Sequence, residues 1–326
     1  MAEIRISEIE DVTRAALLAH GASHIVADTM ADAVRWAEAR SNRICGLYYL
    51  ESYCQQLGSG RVNGTVTPEV NKVRPAVIEV DAGYGFAQPA FRDALGNAVQ
   101  GAQSCGLASL LVRHAHTCTA LGWFTEAIAR KGLIGLGVTN ASPIVAPPGG
   151  KTRVLGTNPM SFAVPDGAGG VAMIFDQSTT TVALGRITMA KAAGEPIPEG
   201  WAVDAEGRPT TDPDAALTGS LCSVGGYKGW GLGLMVEVLA AGLAGGTASR
   251  DVKPLKAPEG DPHDLGHSFF LIDPGIRPDF HDMVSGLAEA VSQDDGARLP
   301  GQGKELLDTV EVPDALWQAT LALAGR

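Results

Sequence analysis

Two histidines two residues apart, His114 and His116, lie in the stretch Arg113-His114-Ala115-His116-Thr117-Cys118-Thr119. Histidine exchanges its proton nearest to neutral pH, so either could move a proton or hold an anionic substrate. A His-x-His pair can also ligate a metal, but neither a carboxylate nor a third histidine lies close by, and no metal site is expected. The segment Phe175-Asp176-Gln177-Ser178-Thr179-Thr180 brings a carboxylate and three hydroxyls to the end of a strand. Such groups cap the free N–H groups of a following helix, or leave those N–H groups to hold a phosphate. In Tyr227-Lys228-Gly229, Lys228 begins a helix, where a cation opposes the helix dipole and is better explained by an anion nearby. Between these lies a long Gly-, Pro- and Asn-rich stretch from Gly132 to Pro159. It brings backbone N–H groups close to a ligand, or is simply a turn-rich connection between strands.

Several elements must position these groups. Apolar periodicity predicts helices over 6–20, 24–39, 47–57, 89–105, 121–131, 179–193, 228–244, 278–292 and 313–324. Short apolar runs predict strands over 77–80, 108–113, 132–138, 161–164, 171–175 and 269–272. Residues 196–216 read as loop, with a turn at Asp204-Ala205-Glu206-Gly207. The alternation of strand and helix from residue 108 onward indicates an α/β protein behind an all-helical start.

The chain has 326 residues, of which 45% are hydrophobic and 19% charged, enough for a substantial core. A formal net charge of −11 argues against nucleic acid, which needs a basic face, but permits an anionic substrate held by local positive charge. Met1 to Arg14 is acidic and lacks the apolar run of a signal peptide, and no stretch is long enough to span a membrane. Five cysteines without metal-type spacing point to a reduced, cytoplasmic setting.

Known nucleotide fingerprints are missing. Gly83-Tyr84-Gly85 continues as Phe86-Ala87-Gln88, Gly229-Trp230-Gly231-Leu232-Gly233 has the wrong spacing, and no Walker A loop occurs. Other motifs are more specific: Thr139-Asn140-x-x-Pro143, Ala146-Pro147-x-Gly149-Gly150, Leu155-Gly156-Thr157-Asn158-Pro159 and Phe175-Asp176-x-Ser178-Thr179. Ile197-Pro198-x-Gly200-Trp201-Ala202-Val203-Asp204, Pro209-Thr210-Thr211-Asp212-Pro213, Gly225-Gly226-Tyr227-Lys228-Gly229 and Arg298-Leu299-Pro300-Gly301 follow in order. In this order, over about residues 40–301, they resemble the type 2 malate/L-lactate dehydrogenase family of NAD(P)-dependent oxidoreductases without a Rossmann domain.

The resemblance implies a non-Rossmann α/β fold with a helical N-terminal part and a mixed-sheet cofactor domain, assembled as a homodimer. It divides the chain into a helical part over 1–70, a substrate and dimerisation part over 71–120 and 275–326, and an NAD- or NADP-binding part over 121–274. It implies a reductase of a small 2-oxo acid, or dehydrogenase of the 2-hydroxy acid, of lactate, malate or sulfolactate type. A cyclic imino acid such as 1-piperideine-2-carboxylate is the alternative substrate, and a cofactor-binding relative without catalysis is the alternative outside enzymes. Carried over by position, the cofactor meets Thr139, Asn140, Asp176, Gln177, Ser178, Thr179, Thr180, Lys228, Gly229, Pro300, Gly301 and Gln302.

The family's Ser-His-Gly-x-x-Arg signature supplies a proton donor and an arginine for the substrate carboxylate. Here Cys45 and Tyr49 stand at those two positions. The later Asn-Ser-x-His stretch is likewise replaced by His114-Ala115-His116-Thr117. Because hydride addition to a carbonyl still needs a proton, His116, or in its place His114, is the expected donor, with Asp176 as orienting partner. Tyr48, Tyr49, Cys45 and Thr157 are the expected substrate contacts.

Overall fold

The computed structural model describes residues 1–326. The chain opens with β1 (Ala2–Arg5), α1 (Ile6–Ala19), α2 (His24–Glu38) and α3 (Leu50–Ser59). Next come β2 (Glu69–Arg74), β3 (Val77–Asp81), α4 (Ala87–Cys105), β4 (Leu107–Ala115), α5 (Leu121–Ala129), β5 (Ile134–Thr139), β6 (Met160–Pro165) and β7 (Val171–Gln177). A smaller unit follows, of α6 (Leu184–Ala193), β8 (Ala202–Val203), β9 (Pro209–Thr210), α7 (Pro213–Thr218) and β10 (Ser220–Leu221). The chain ends through α8 (Tyr227–Glu237), β11 (Leu265–Ile272), α9 (Phe280–Val291), β12 (Thr309–Val312) and α10 (Asp314–Leu323).

Ile9, Val12, Ala16 and Leu17 recur at helical spacing on α1 and are buried against Val26, Met30 and Val34 of α2. Ser23 starts α2 by accepting the Val26 N–H at 3.3 Å. The chain's far end returns to this core: β12 pairs antiparallel with β1, and Trp317 of α10 is buried beside the N-terminal helices.

The main sheet has seven strands in the order β2-β3-β4-β11-β5-β6-β7. Only β3 and β4 pair in parallel. Because β11 runs antiparallel to both β4 and β5, the carboxyl ends of β3, β4, β5 and β7 emerge on one edge. Helices α4 and α5 cover one face through Phe91, Phe124 and Phe269, whose ring centroids lie 4.8–4.9 Å apart in edge-on and stacked pairs. On β11, Gly266 lies against the π-helical turn Val238–Leu243 that continues α8. A side chain there would collide with the Ala240 carbonyl, so only glycine lets the two backbones meet.

The expected helix over 179–193 begins only at Leu184. Before it the β-branched run 179–182, of low helix propensity, bends without coiling, and Thr180 bridges to Ser223. The segment 196–216, expected as loop, contains β8, β9 and the start of α7, capped by Asp212, and β8 pairs with both β9 and the later β10. The expected helix over 47–57 is preceded by two single 3-10 turns, Arg43–Cys45 and Leu47–Tyr49. Strands β1 and β12 alternate but are only four residues long, and β2 carries too little apolar alternation, so none of them stands out.

Candidate active site

Asp176 ends β7 where α5 begins. The Gly122 N–H donates to its Oδ2 at 2.7 Å. Residue 122 must be small: a side chain would lie 2.8 Å from the Trp36 ring and 3.4 Å from Asp176. Asp176 keeps an open face, yet lies at the floor of a cleft, and the surrounding protein displaces the water that would solvate its charge. This desolvation pushes its carboxyl up to about 6, against the opposing pull of the backbone N–H groups of Gly122 and Leu121.

Cys45 lies beside Asp176 on the first 3-10 turn. That turn is fixed by buried Glu38, whose Oε1 accepts the Leu47 N–H at 2.8 Å. Burial first, then the Asp176 charge, pushes the Cys45 thiol up to about 12. The Tyr49 phenol is raised by burial and by Cys45, and the buried Cys118 thiol by burial and by Asp176. At neutral pH these three are therefore uncharged donors, and Asp176 is the member of the cluster that titrates near neutrality. Tyr49 in turn stacks on Tyr53 at 5.7 Å, whose hydroxyl donates to Thr119 Oγ1.

Asp176 also lines a cavity of about 760 Å³ with Arg40, Arg130, Arg298, Lys304 and the Pro300-Gly301 turn. Glu126 neutralises Arg40 at 2.7 Å and Arg130 at 2.9 Å. Arg298 and Lys304 make no ion pair, which leaves positive charge for an anion. The turn is tied to β7: Ile174 N–H donates to the Pro300 carbonyl at 3.0 Å. Gly301, at φ +79°, comes so close to Ile174 that a Cβ would lie 2.5 Å from it. This cavity fits the phosphates of a dinucleotide, with Arg298 and Lys304 as the cations to hold them.

The histidines fall elsewhere. His116 is fully buried; its Nε2 donates to Gln56 Oε1 at 2.6 Å and its ring stacks on His263 at 4.1 Å. Burial, then His263, holds it neutral, well below the usual histidine range. The expected pairing of His116 with Asp176 is therefore corrected, since Gln56 takes that place. His114 pairs with Asp81 at 2.9 Å and stacks on Tyr84, away from Asp176.

The polar residues divide similarly. Thr139 and Asn140 are buried and hold the backbone together: Thr139 Oγ1 donates to the Gly266 carbonyl, Asn140 Nδ2 to the Thr247 carbonyl, and Asn140 Oδ1 accepts from Gly266 N–H. These bonds commit both side chains to holding the loop backbone. No helix starts at 178–180, so the capping and phosphate-cradle expectations both fail there: Ser178 and Thr180 bond each other at 2.8 Å. The carbonyl of Thr157 accepts both the N–H and the hydroxyl of Thr179, each at 3.0 Å. The Thr179 carbonyl accepts the Val224 N–H at 3.0 Å. Gly229 packs on Val224 so tightly that only glycine fits, and Lys228 is exposed beside it without an ion pair. The 157, 176–180 and 224–229 segments thus form one continuous wall. Gln177 is exposed on it, while Gln302 closes its own turn by accepting the Leu299 N–H.

Sequence reasoning missed Cys118, Arg40, Glu126, Lys304 and Lys256. Arg40 follows Trp36 by one helical turn and approaches its ring to 4.2 Å, a spacing that could have flagged it. Lys256 lies in no motif; its ammonium sits 3.4 Å from the Tyr48 ring and 4.3 Å from that of Tyr49.

The Malate/L-lactate dehydrogenase family profile matches residues 4–318. The chain is 38% identical to the (2R)-3-sulfolactate dehydrogenase (NADP(+)) of Chromohalobacter salexigens, over 96% of this chain and 95% of that one. It is 35% identical to the Delta(1)-pyrroline-2-carboxylate reductase of Ancylobacter novellus, over 99% and 98%. The crystal structure of delta1-piperideine-2-carboxylate reductase from Pseudomonas syringae superposes with a TM-score of 0.91 at 32% identity, covering 99% of this chain and 100% of that one. With a matched fold, matched length and the cleft at the sheet edge, the chain belongs to the malate/L-lactate dehydrogenase family of NAD(P)-dependent oxidoreductases.

Proposed function

We propose that the protein reduces a small 2-oxo acid to its 2-hydroxy acid with NADPH or NADH, with Asp176 as proton donor. The observation that carries this reading is the position of the Asp176 carboxyl in a cleft shared with the unpaired cations Arg298 and Lys304, with desolvation raising it in the same direction. A bound nicotinamide supplies the hydride for C2 of the substrate. Asp176 gives its proton to the carbonyl oxygen as the alkoxide charge develops, and regains one from water through the open cleft. Cys45, near enough to Asp176 to feel its charge, and Tyr49, near Cys45, are the neutral donors that would orient the carbonyl. One 2-oxo acid, one reduced cofactor and one proton yield one 2-hydroxy acid and one oxidised cofactor. The sulfolactate dehydrogenase relative supports both an acid substrate and NADP.

Reduction needs protonated Asp176, so its rate should be greatest below pH 6 and fall toward tenfold per unit above it. A pH profile of kcat/KM for pyruvate, oxaloacetate and sulfopyruvate tests this; a flat profile between pH 5 and 8 contradicts it. A second reading, a cyclic imino acid, rests on the same carboxyl: above pH 6 its anion sits beside a cationic iminium, which accepts hydride without a proton donor. There the profile rises through pH 6 instead. The two pyrroline- and piperideine-carboxylate reductase relatives support this alternative.

Two copies are proposed to pair through α8 and α9. Leu234, Val238 and Leu243 are exposed along α8 and the turn after it, and α9 buries none of its side chains while exposing Met283 and Leu287. Sedimentation equilibrium should give twice the chain mass, and Val238→Asp should shift it toward one chain. A wild-type monomer at micromolar concentration rules the pairing out. All five cysteines are free thiols, which supports a reducing, cytoplasmic setting.

A further inference from the structure

Lys256 is a cation held by aromatic faces without a carboxylate partner. Its ammonium lies over the Tyr48 and Tyr49 rings, at 3.4 and 4.3 Å from their centroids. The loop that carries it is tied down by α3 and the residues just after it. Arg61, buried, donates from its guanidinium to the carbonyls of Pro254, Ala257 and Asp261. Gln56 Nε2 donates to the Leu255 carbonyl at 2.9 Å, and Ser59 Oγ to that of Pro258 at 2.7 Å. Buried His116 completes this anchor through Gln56. Five side-chain hydrogen bonds to loop carbonyls are far more than an idle surface loop receives.

The anchored loop delivers Lys256 to the rim of the cluster around Cys45. That cluster holds Tyr49, whose ring the ammonium meets, and Cys45, whose thiol feels both charges: Asp176 raises it and Lys256 lowers it. We infer that Lys256, held over the Tyr48 and Tyr49 rings, binds the carboxylate of the substrate. A 2-oxo acid carries its carboxylate on the carbon next to the one that is reduced. A cation and a proton donor that both act on the same small cluster match that layout. The tyrosine rings hold the ammonium in place without neutralising it, as a carboxylate would. This inference rests on the proposed reading of the site as one for a 2-carboxylate substrate.

The test uses Lys256→Met and Lys256→Arg in the full-length protein. Binding of oxamate to the NADPH-loaded protein is followed by tryptophan fluorescence, and turnover is compared for a 2-oxo acid and its methyl ester. Lys256→Met should weaken oxamate and raise KM for the acid roughly 10- to 100-fold, the range of a lost charge-assisted bond. Its kcat should change less, its affinity for NADPH should hold, and its preference for acid over ester should shrink. Lys256→Arg should restore most of the oxamate affinity. Unchanged oxamate binding and acid preference in Lys256→Met, in an enzyme that reduces 2-oxo acids, would overturn this inference alone. A wild type that neither binds oxamate nor reduces any 2-oxo or cyclic imino acid would overturn it together with the functional reading.

Discussion

Replacing Asp176 with asparagine should lower kcat for 2-oxo acid reduction by about 10²- to 10⁴-fold, the usual contribution of a positioned general acid. The change is isosteric. The amide oxygen can still accept the Gly122 N–H that now holds Oδ2 at 2.7 Å, so the start of α5 keeps its place. What is lost is a proton that can leave near neutral pH. NADPH affinity, read by fluorescence, should stay within a few-fold, and the remaining activity should no longer depend on pH around 6.

Stability separates this loss from misfolding. The Asp176 carboxyl is raised from 3.8 to about 6 on folding. Its stabilising contribution is therefore complete below the unfolded value and is lost as pH rises through the folded one. The wild type should lose stability between about pH 4 and pH 6 in a step that Asp176→Asn lacks. At pH 8 the variant should melt at the same temperature or higher. An inactive variant that melts well below the wild type at pH 8 would count as a folding defect and leave the donor role to another group.

Glu126→Gln should cost about 3–5 kcal/mol of folding free energy, because it removes one side of a buried ion pair. Glu126 is 6% exposed and receives Trp36 Nε1 at 2.9 Å, Arg40 at 2.7 Å and Arg130 at 2.9 Å. An amide offers one acceptor oxygen and turns its NH2 toward guanidinium groups that cannot accept. Arg40, itself largely buried, is left without a counter-charge. Urea unfolding should register the loss in the midpoint, with the slope unchanged. A cost below about 1 kcal/mol would mean that water reaches Arg40 and that the pair behaves as a surface one.

The sequence disclosed elements where one period ran long enough: α1, α2, α4 and α10 were predicted within two residues of their observed starts. It misplaced the start of α6 because the β-branched run Thr179 to Val182 resists helix, and the pairing of Thr180 with Ser223 decided the matter. The short β1 and β12 become strands only because the two ends of the chain meet, which no local window contains. The family motifs drew attention to Asp176, Thr157, Lys228 and Gly301; the structure sets the first three on one wall and Gly301 in the cavity that Asp176 lines. The histidine reading failed for a different reason. Spacing gave His116 a strand end near the other site loops, but its side chain turns into the core, where Gln56 and His263 enclose it. Lys256 was invisible because its role depends on Arg61 and Gln56, nearly two hundred residues earlier in the chain.

The most direct measurement is a crystal structure of the protein with NADPH and oxamate. The carbonyl oxygen of oxamate should lie within hydrogen-bond distance of the Asp176 carboxyl, and its carboxylate should face Lys256. Oxamate bound instead against His114 or His116, or NADPH bound away from the Pro300-Gly301 turn, would contradict the account.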